Sequence, residues 1–322
     1  MQNDFHSAAS VVNLRKRSEL LIRTRKFFET RGFTEVQTPV MSRDTIIDRH
    51  LDPIELEMQL PGGELETWYL QTSPEQAMKR LLVSGIGSIY QIGPVFRNNE
   101  RGRIHNPEFT MVEWYEVDAD LEQGLALLDQ LLCEILGTQP SERIRFEDAF
   151  RNATGLGLFE MKPRDFGTWA VEQELVDNER WSNDWDDWVN LIFSERVQST
   201  LGWHRPVLVT HFPATQAALA RVCDTDSRTA ERYEGFYRGV ELANGYHELM
   251  DADQLELRSR TANDLRMVEG KKALPIQNRL LDAMRAGMPS SCGCALGFDR
   301  LVMLACGAQS IDEVVAFTVE RA

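Results

Sequence analysis

The segments richest in aromatic and β-branched residues cluster instead of alternating one by one with helical segments. Trp68-Tyr69-Leu70, Ser88–Ile92 and Glu108–Val117 come close together, and residues 203–250 add more of the same kind. Helical patterns stand before, between and after them. From Asn13, a residue able to cap, Leu14, Leu21, Phe27 and Phe28 recur at helical spacing, and Gly32 supplies a stop. Asp120–Leu136 is a second helix. Asp120 with Gln123 resembles a capping box, and Leu121, Leu125, Leu128, Leu132 and Ile135 form one apolar stripe. Asp253–Gly270 has a polar helical pattern, while Gly62-Gly63 and Asn98–Gly102 mark turns. This arrangement predicts an α+β domain around an antiparallel sheet flanked by helices, not a parallel sheet of βαβ units.

No repeat, low-complexity tract or linker divides the chain, so residues 1–322 read as a single domain. The stretch 151–202 differs in character, with Trp169, Trp181, Trp185 and Trp188 among acidic residues. It reads as a helical insertion whose tryptophans pack inward.

Lysine and arginine number 35 against 50 acidic residues, a net charge of −15. Such a surface repels polyanions at long range and argues against a general nucleic-acid binder, although small basic sites can persist within it. No run approaches the roughly 18 consecutive apolar residues of a membrane span. Met1-Gln2-Asn3-Asp4 lacks a basic region followed by an apolar stretch, so no secretory signal is expected. Five cysteines form no disulfide framework. Cys292 and Cys294 have no second cysteine or histidine pair nearby to suggest zinc. A cytoplasmic, membrane-free protein is expected.

The segment Phe96–Phe109 places Arg97, Arg101, Arg103 and His105 on a turn between two predicted strands. Arginine forks hold phosphate oxygens bidentately, so the turn can clamp a polyphosphate. Taken alone, the same charges read as a solvated hairpin. Near the C-terminus, Gly293–Leu304 joins a glycine-bearing strand to an apolar helix. There Gly297 lets a ligand approach the backbone, and Arg300 can reach a terminal phosphate. Taken alone, Asp299 could cap that helix and pair with Arg300. Elsewhere, Glu113 and Tyr115 sit two apart on a predicted strand and share a face, as do Asn244, Tyr246 and Glu248. An ammonium group removed from water needs anionic or oxygen partners, which such residues could supply; taken one at a time they read as exposed carboxylates on a wet sheet face.

Together with Arg31–Pro39, the two arginine segments resemble the three signature motifs of class II aminoacyl-tRNA synthetases, in the family's order and over roughly residues 13 to 320. The resemblance is strongest to lysyl-tRNA synthetases, through Thr72-Ser73-Pro74-Glu75, His105–Tyr115 and Glu241–Leu249. It implies ATP and Mg2+ as cofactors and a homodimer through the first motif. Arg97 would hold the α-phosphate and Arg300 the γ-phosphate. Asn98, Asn99, Arg103, His105, Asn106, Glu241, Leu242 and Gly297 would complete the nucleotide site, and Glu234 and Glu241 would bind magnesium. Ser73, Pro74, Glu75, Glu113, Tyr115, Asn244, Tyr246, Glu248 and Ala295 would hold a lysine-like substrate.

The first motif begins at about residue 31, leaving no space for the anticodon-binding domain of a lysyl-tRNA synthetase. This truncated form resembles elongation factor P lysyl ligases, whose members activate (R)-β-lysine and transfer it to a lysine of elongation factor P. On that resemblance the partners are (R)-β-lysine or lysine and elongation factor P, with no tRNA. Ala295 stands where lysyl-tRNA synthetases have glycine. One added methyl in a tight pocket changes preference by about 1–3 kcal/mol, which fits a reshaped substrate. Asn99 replaces the family's motif glutamate, although its carbonyl can still accept a hydrogen bond. No residue is identified as general base for the transfer. Rival readings are a short tRNA-charging enzyme, a regulatory paralogue lacking catalysis, and a class II-like amide synthetase with a cationic pocket. Retention of Arg97 and Arg300 opposes the second, and the glutamates oppose the third.

Overall fold

The computed structural model describes residues 5–322; Met1–Asp4, where no secretory signal is expected, lie outside the described residues. In chain order the elements begin with α1 (Val11–Glu29), β1 (Thr34–Glu35), β2 (Met41–Ser42), β3 (Glu55–Gln59) and β4 (Leu65–Leu70). Next come α2 (Glu75–Val83), β5 (Ile89–Phe96), β6 (Glu108–Val117), α3 (Leu121–Leu136) and β7 (Glu142–Arg145). Then follow α4 (Phe146–Thr154), α5 (Pro163–Glu172), α6 (Trp185–Ile192), β8 (Val207–Pro213), β9 (Thr229–Tyr237) and β10 (Val240–His247). The last are α7 (Ala252–Val268), α8 (Arg279–Gly287), β11 (Ser291–Gly297) and α9 (Phe298–Ala305). The chain divides into two compact units, Met1–Gly124 with Glu248–Ala322, and Leu125–His247.

In the first unit four strands run in the order β1-β5-β6-β11. β5–β6 and β6–β11 are antiparallel, as the sequence predicts, but the short β1 lies parallel to β5. Residues Met41–Leu70 form a separate three-stranded sheet, β2-β4-β3. Helix α1 buries Leu20, Thr24, Phe27 and Phe28. Phe28 stacks on Tyr90 at 4.7 Å and leans on Trp114 at 5.3 Å, joining the helix to β5 and β6. The cap of α1 is Ser10, not Asn13. The Ser10 backbone is extended and its hydroxyl accepts from the Asn13 amide at 3.1 Å. Asn13 lies inside the first turn, and its side chain donates instead to the Glu313 carbonyl. Gly32 follows the helix with φ +79°, a left-handed turn that glycine adopts at little cost.

Helix α2 was not legible in the sequence, which reads as mostly strand between α1 and α3. Its buried residues, Glu75, Met78, Lys79 and Leu82, do recur at helical spacing. Two of the four are charged, so no apolar stripe betrays the helix.

In the second unit the strand order is β7-β8-β9-β10, with β7 parallel to β8 and the other pairs antiparallel. The ladder shifts register between Thr210 and Phe212 and between Glu241 and Ala243. Helices α4, α5 and α6 occupy much of residues 151–202, with α4 beginning before them. The core of this unit gathers Phe146, Phe150, Phe166, Trp188, Phe193 and Phe212, with Trp169 and Trp185 packed against it. Trp181 is half-exposed and sets its edge against Trp188 at 5.1 Å. The capping box at α3 is reciprocal: the Asp120 amide donates to Gln123 Oε1, and the Gln123 amide to Asp120 Oδ1, both at 3.0 Å.

Candidate active site

The first unit brings Ser73, Glu75, Glu113, Tyr115, Glu248 and Ala295 together. In the ladder of β5, β6 and β11, Gln91, Glu113 and Ala295 are register partners, and so are Ile89, Tyr115 and Gly293. Residues paired across antiparallel strands point to the same face, so Glu113, Tyr115, Gly293 and Ala295 share one surface. Ser73 and Pro74 lead into α2, whose first residue is Glu75. Glu248 follows β10, and its amide donates to the Ser291 carbonyl on β11.

Three carboxylates are thereby withdrawn from water: Glu75 is 7% exposed, Glu113 2% and Glu248 1%. Each has different company. Glu113 accepts from Ser73 Oγ at 2.7 Å and from Tyr115 Oη at 2.6 Å. Burial, followed by the like charge of Glu75, pushes its carboxyl well above the ordinary range, while the two hydroxyls pull the other way. Glu75 ion-pairs with Lys79 at 2.5 Å. Glu248 Oε2 stands 2.6 Å from Lys79 Nζ, but off the hydrogen-bonding direction. Among the described residues Glu248 Oε1 has no hydrogen-bond partner. Burial pushes the Glu248 carboxyl up as well, against the attraction of Lys79. A buried carboxylate oxygen without a donor is the arrangement that an ammonium ligand would complete.

Two participants escaped the sequence reading. Lys79 sits one helical turn after Glu75, an i,i+4 spacing that becomes visible only once α2 is known to be a helix. Gly293 is fixed by space. A Cβ there would run into the Tyr115 ring and Glu248 Oε1 at well under van der Waals separation.

The turn between β5 and β6 carries the phosphate candidates. Arg97 lies over the Phe109 ring, 5.1 Å from guanidinium carbon to centroid, and its Nη1 is 3.8 Å from Glu100. Its buried Nε has no hydrogen-bond partner among the described residues. Arg300, on α9, donates from Nε to the Ile104 carbonyl and meets His105 Nε2 at 2.6 Å through Nη2. Asp299 neither caps α9 nor pairs with Arg300. It ion-pairs with Arg17 of α1 at 2.5 Å and accepts from the Thr110 amide.

Other loop residues are held by the C-terminal segment. Arg103 donates to the Gln309 carbonyl, and Arg101 pairs with Asp312 and Glu320. Asn106 is buried; its amide donates to the Glu108 carbonyl and its oxygen accepts from the Val319 amide. Asn98 and Asn99 are exposed. Asn99 has φ +62°, a left-handed conformation that asparagine tolerates better than most residues. Gly297 ends β11 opposite Met111.

The second unit collects the remaining candidates around Arg232, a third residue that the sequence reading missed. Arg232 donates to Glu234 Oε1 at 2.6 Å, to Asn244 Oδ1 at 3.2 Å and to the Gln216 carbonyl at 2.7 Å. Asn244 in turn donates to the Tyr246 hydroxyl at 2.8 Å. Glu234 pairs with Asn244 across the β9–β10 ladder, and Glu241 lies where that ladder shifts register. The Glu241 charge, like that of Glu234, acts on the Arg232 guanidinium. Leu242 is buried. Mg2+ takes one or two carboxylates together with substrate phosphates, the ligand type that Glu234 and Glu241 carry.

Residues 4–321 match the family model of class II tRNA synthetases (D, K and N). A protein of Salmonella arizonae named elongation factor P–(R)-β-lysine ligase is 43% identical over 316 residues, 98% of this chain and 97% of that one. A Klebsiella pneumoniae protein of the same name matches to the same extent, and one from Salmonella paratyphi B is 42% identical over the same length. No helix among the described residues is long and apolar enough to cross a membrane. With an α+β core of largely antiparallel strands, both arginine segments in place and a family match spanning nearly every residue, the chain belongs to the class II tRNA synthetases of the D, K and N group.

Proposed function

We infer that this chain is an ATP-dependent ligase acting on elongation factor P. It activates (R)-β-lysine or lysine as an aminoacyl-adenylate and transfers it to the ε-amino group of a specific lysine on that protein. Relatives bearing that name at 42–43% identity over 98% of the chain support the reaction class. The observation that carries the substrate class is the carboxylate of Glu248, 1% exposed and with Oε1 lacking any donor among the described residues. An acidic pocket of this kind selects a cation and rejects an acidic amino acid, which opposes an amide synthetase.

In activation, a carboxylate oxygen of the amino acid attacks the α-phosphorus of ATP in line, and the bond to the departing pyrophosphate breaks. Arg97 is the residue to hold the α-phosphate, since its Nε has no hydrogen-bond partner among the described residues. Arg300, steadied by Ile104 and His105, would hold the γ-phosphate. Asn98, Asn99, Arg103, Asn106, Leu242 and Gly297 would line the nucleotide. Glu234 and Glu241 would hold Mg2+, which supplies charge neutralisation to the phosphates. Glu75, Glu113 and Glu248, with Tyr115, would fix the amino groups. Such catalysis is positioning and electrostatics, with no covalent enzyme nucleophile. In the second step a deprotonated lysine amine of the acceptor attacks the adenylate carbonyl, and AMP leaves. A cytoplasmic enzyme and a homodimer through the first motif belong to the same reading; Val11, Val12 and Ile22 of α1 are exposed.

The test is ATP–pyrophosphate exchange dependent on α-lysine or (R)-β-lysine, followed by transfer of the labelled amino acid to elongation factor P. Exchange with a lysine isomer and label on the protein are expected. Label on tRNA, or no exchange with any amino acid, would defeat the reading.

A further inference from the structure

We propose that Lys79 is a positioning residue for the amino-acid substrate, a built-in ammonium that bridges Glu75 and Glu248 and sets how much negative charge the pocket keeps for the substrate. This rests on the reading of the pocket as a lysine-type site.

Lys79 is 2% exposed, an uncommon fate for lysine. Its Nζ lies 2.5 Å from Glu75 Oε1, 2.6 Å from Glu248 Oε2 and 5.8 Å from the centroid of the Tyr115 ring. An ammonium leaves water only where anions replace its hydration, and removing one member of such a cluster leaves the others uncompensated. Burial alone would lower its pKa, but Glu248 and Glu75 hold it above the ordinary value, so it stays charged throughout the working range. The pocket therefore has its own alkylammonium, the same chemical group as the substrate's side chain, already seated between two of its three carboxylates. Lys79 offsets part of the negative charge that the three carboxylates can carry, and a lysine-type substrate brings two further ammonium groups. Without Lys79 the space between Glu75 and Glu248 would itself attract a substrate ammonium. The substrate would then settle away from the carboxylate geometry that activation needs.

The groups around Lys79 define the electrostatics. Glu75 shares its helix, Glu248 opens the segment before α7, and β6 contributes Tyr115 with Glu113 bonded to it. From β11 the neighbour of Tyr115 and Glu248 is the uncharged Gly293. Helix α8 also packs on α2, but its Arg279, Asp282 and Arg285 are exposed at the surface.

The experiment compares wild type with Lys79→Met and Lys79→Arg in amino-acid-dependent ATP–pyrophosphate exchange between pH 6 and 9. In Lys79→Met the KM for the lysine-type amino acid is expected to rise about tenfold or more at pH 7, with its pH midpoint raised by roughly one to three units, the usual effect of losing an adjacent opposite charge. The KM for ATP should stay within about twofold, and Lys79→Arg should restore the wild-type midpoint. An active wild type alongside a Lys79→Met enzyme of unchanged amino-acid KM and midpoint overturns the proposal alone. A wild type that exchanges nothing with either isomer overturns the parent reading and the proposal with it. Should neither variant fold, the side-chain 15N resonance of Lys79 in the wild-type chain decides. It is expected to shift on adding the amino acid and not on adding ATP, and a resonance indifferent to the amino acid refutes the role.

Discussion

Gly293 is the position where one methyl group matters most. A Cβ would meet the Tyr115 ring and Glu248 Oε1 together, and both side chains are buried. Gly293→Ala is expected to raise the amino-acid KM by about tenfold to a hundredfold, the usual range for crowding a tight pocket, while ATP binding measured by calorimetry persists. Ala295, two residues on, has Glu113 as its register partner, whose oxygens accept from Ser73 and Tyr115. A pH dependence follows from the same carboxylates. Burial raises Glu113 to about 7 and Glu248 to about 8 from an ordinary 4.5. A neutral carboxyl does not attract an ammonium, so the amino-acid KM should increase as pH falls from 8.5 to 6, in steady-state exchange. For the unliganded chain the sign reverses. The folded state holds these protons more tightly than the unfolded one, so their contribution to stability declines as pH rises from 4.5 to 8. Bound substrate should oppose that decline, measurable as a larger thermal shift at pH 8 than at pH 6.

Among the elements, the turn between β5 and β6 is distinctive because it is fastened from outside. Arg101 pairs with Asp312 and Glu320, Arg103 reaches Gln309, and the Ile311 amide donates to the Arg103 carbonyl. A loop that must present Arg97 to a phosphate gains definition from such ties, because less freedom is lost on binding. Arg101→Ala should therefore raise the ATP KM by roughly twofold to fivefold, the modest effect expected of solvent-exposed ion pairs. The amino-acid KM should be nearly unchanged. An equal rise in both constants would indicate general loosening of the unit. Helix α2 has the opposite character. Its buried side carries Glu75 and Lys79 beside Met78 and Leu82, so a functional pair replaces half of what would otherwise be an apolar face.

For the whole chain, a net charge of −15 bears on the partner. Polyanion binding requires clustered Lys and Arg and weakens steeply with salt. Several arginines of the candidate site are already paired, Arg101 with two carboxylates and Arg232 with Glu234. Filter binding with tRNA at about 0.15 M salt, where such attraction is largely screened, should therefore show no saturable complex. Tight tRNA binding with a steep salt slope would favour the tRNA-charging alternative.

The sequence by itself determined the class of fold and the family, because strand runs, the capping box at Asp120 and two arginine segments are local patterns that survive without coordinates. It also brought Glu75, Glu113 and Glu248 to notice as carboxylates suited to an amine. Only the tertiary structure decided which charges are neutralised and by whom. Lys79 between Glu75 and Glu248, Arg17 on Asp299 instead of Arg300, and Arg232 beside Glu234 are pairings set by packing. Arg17–Asp299 and Lys79–Glu248 span well over a hundred residues of sequence, and α2 was hidden because its buried face is half charged. Coulombic partnership depends on distance and burial, and neither is written in residue order.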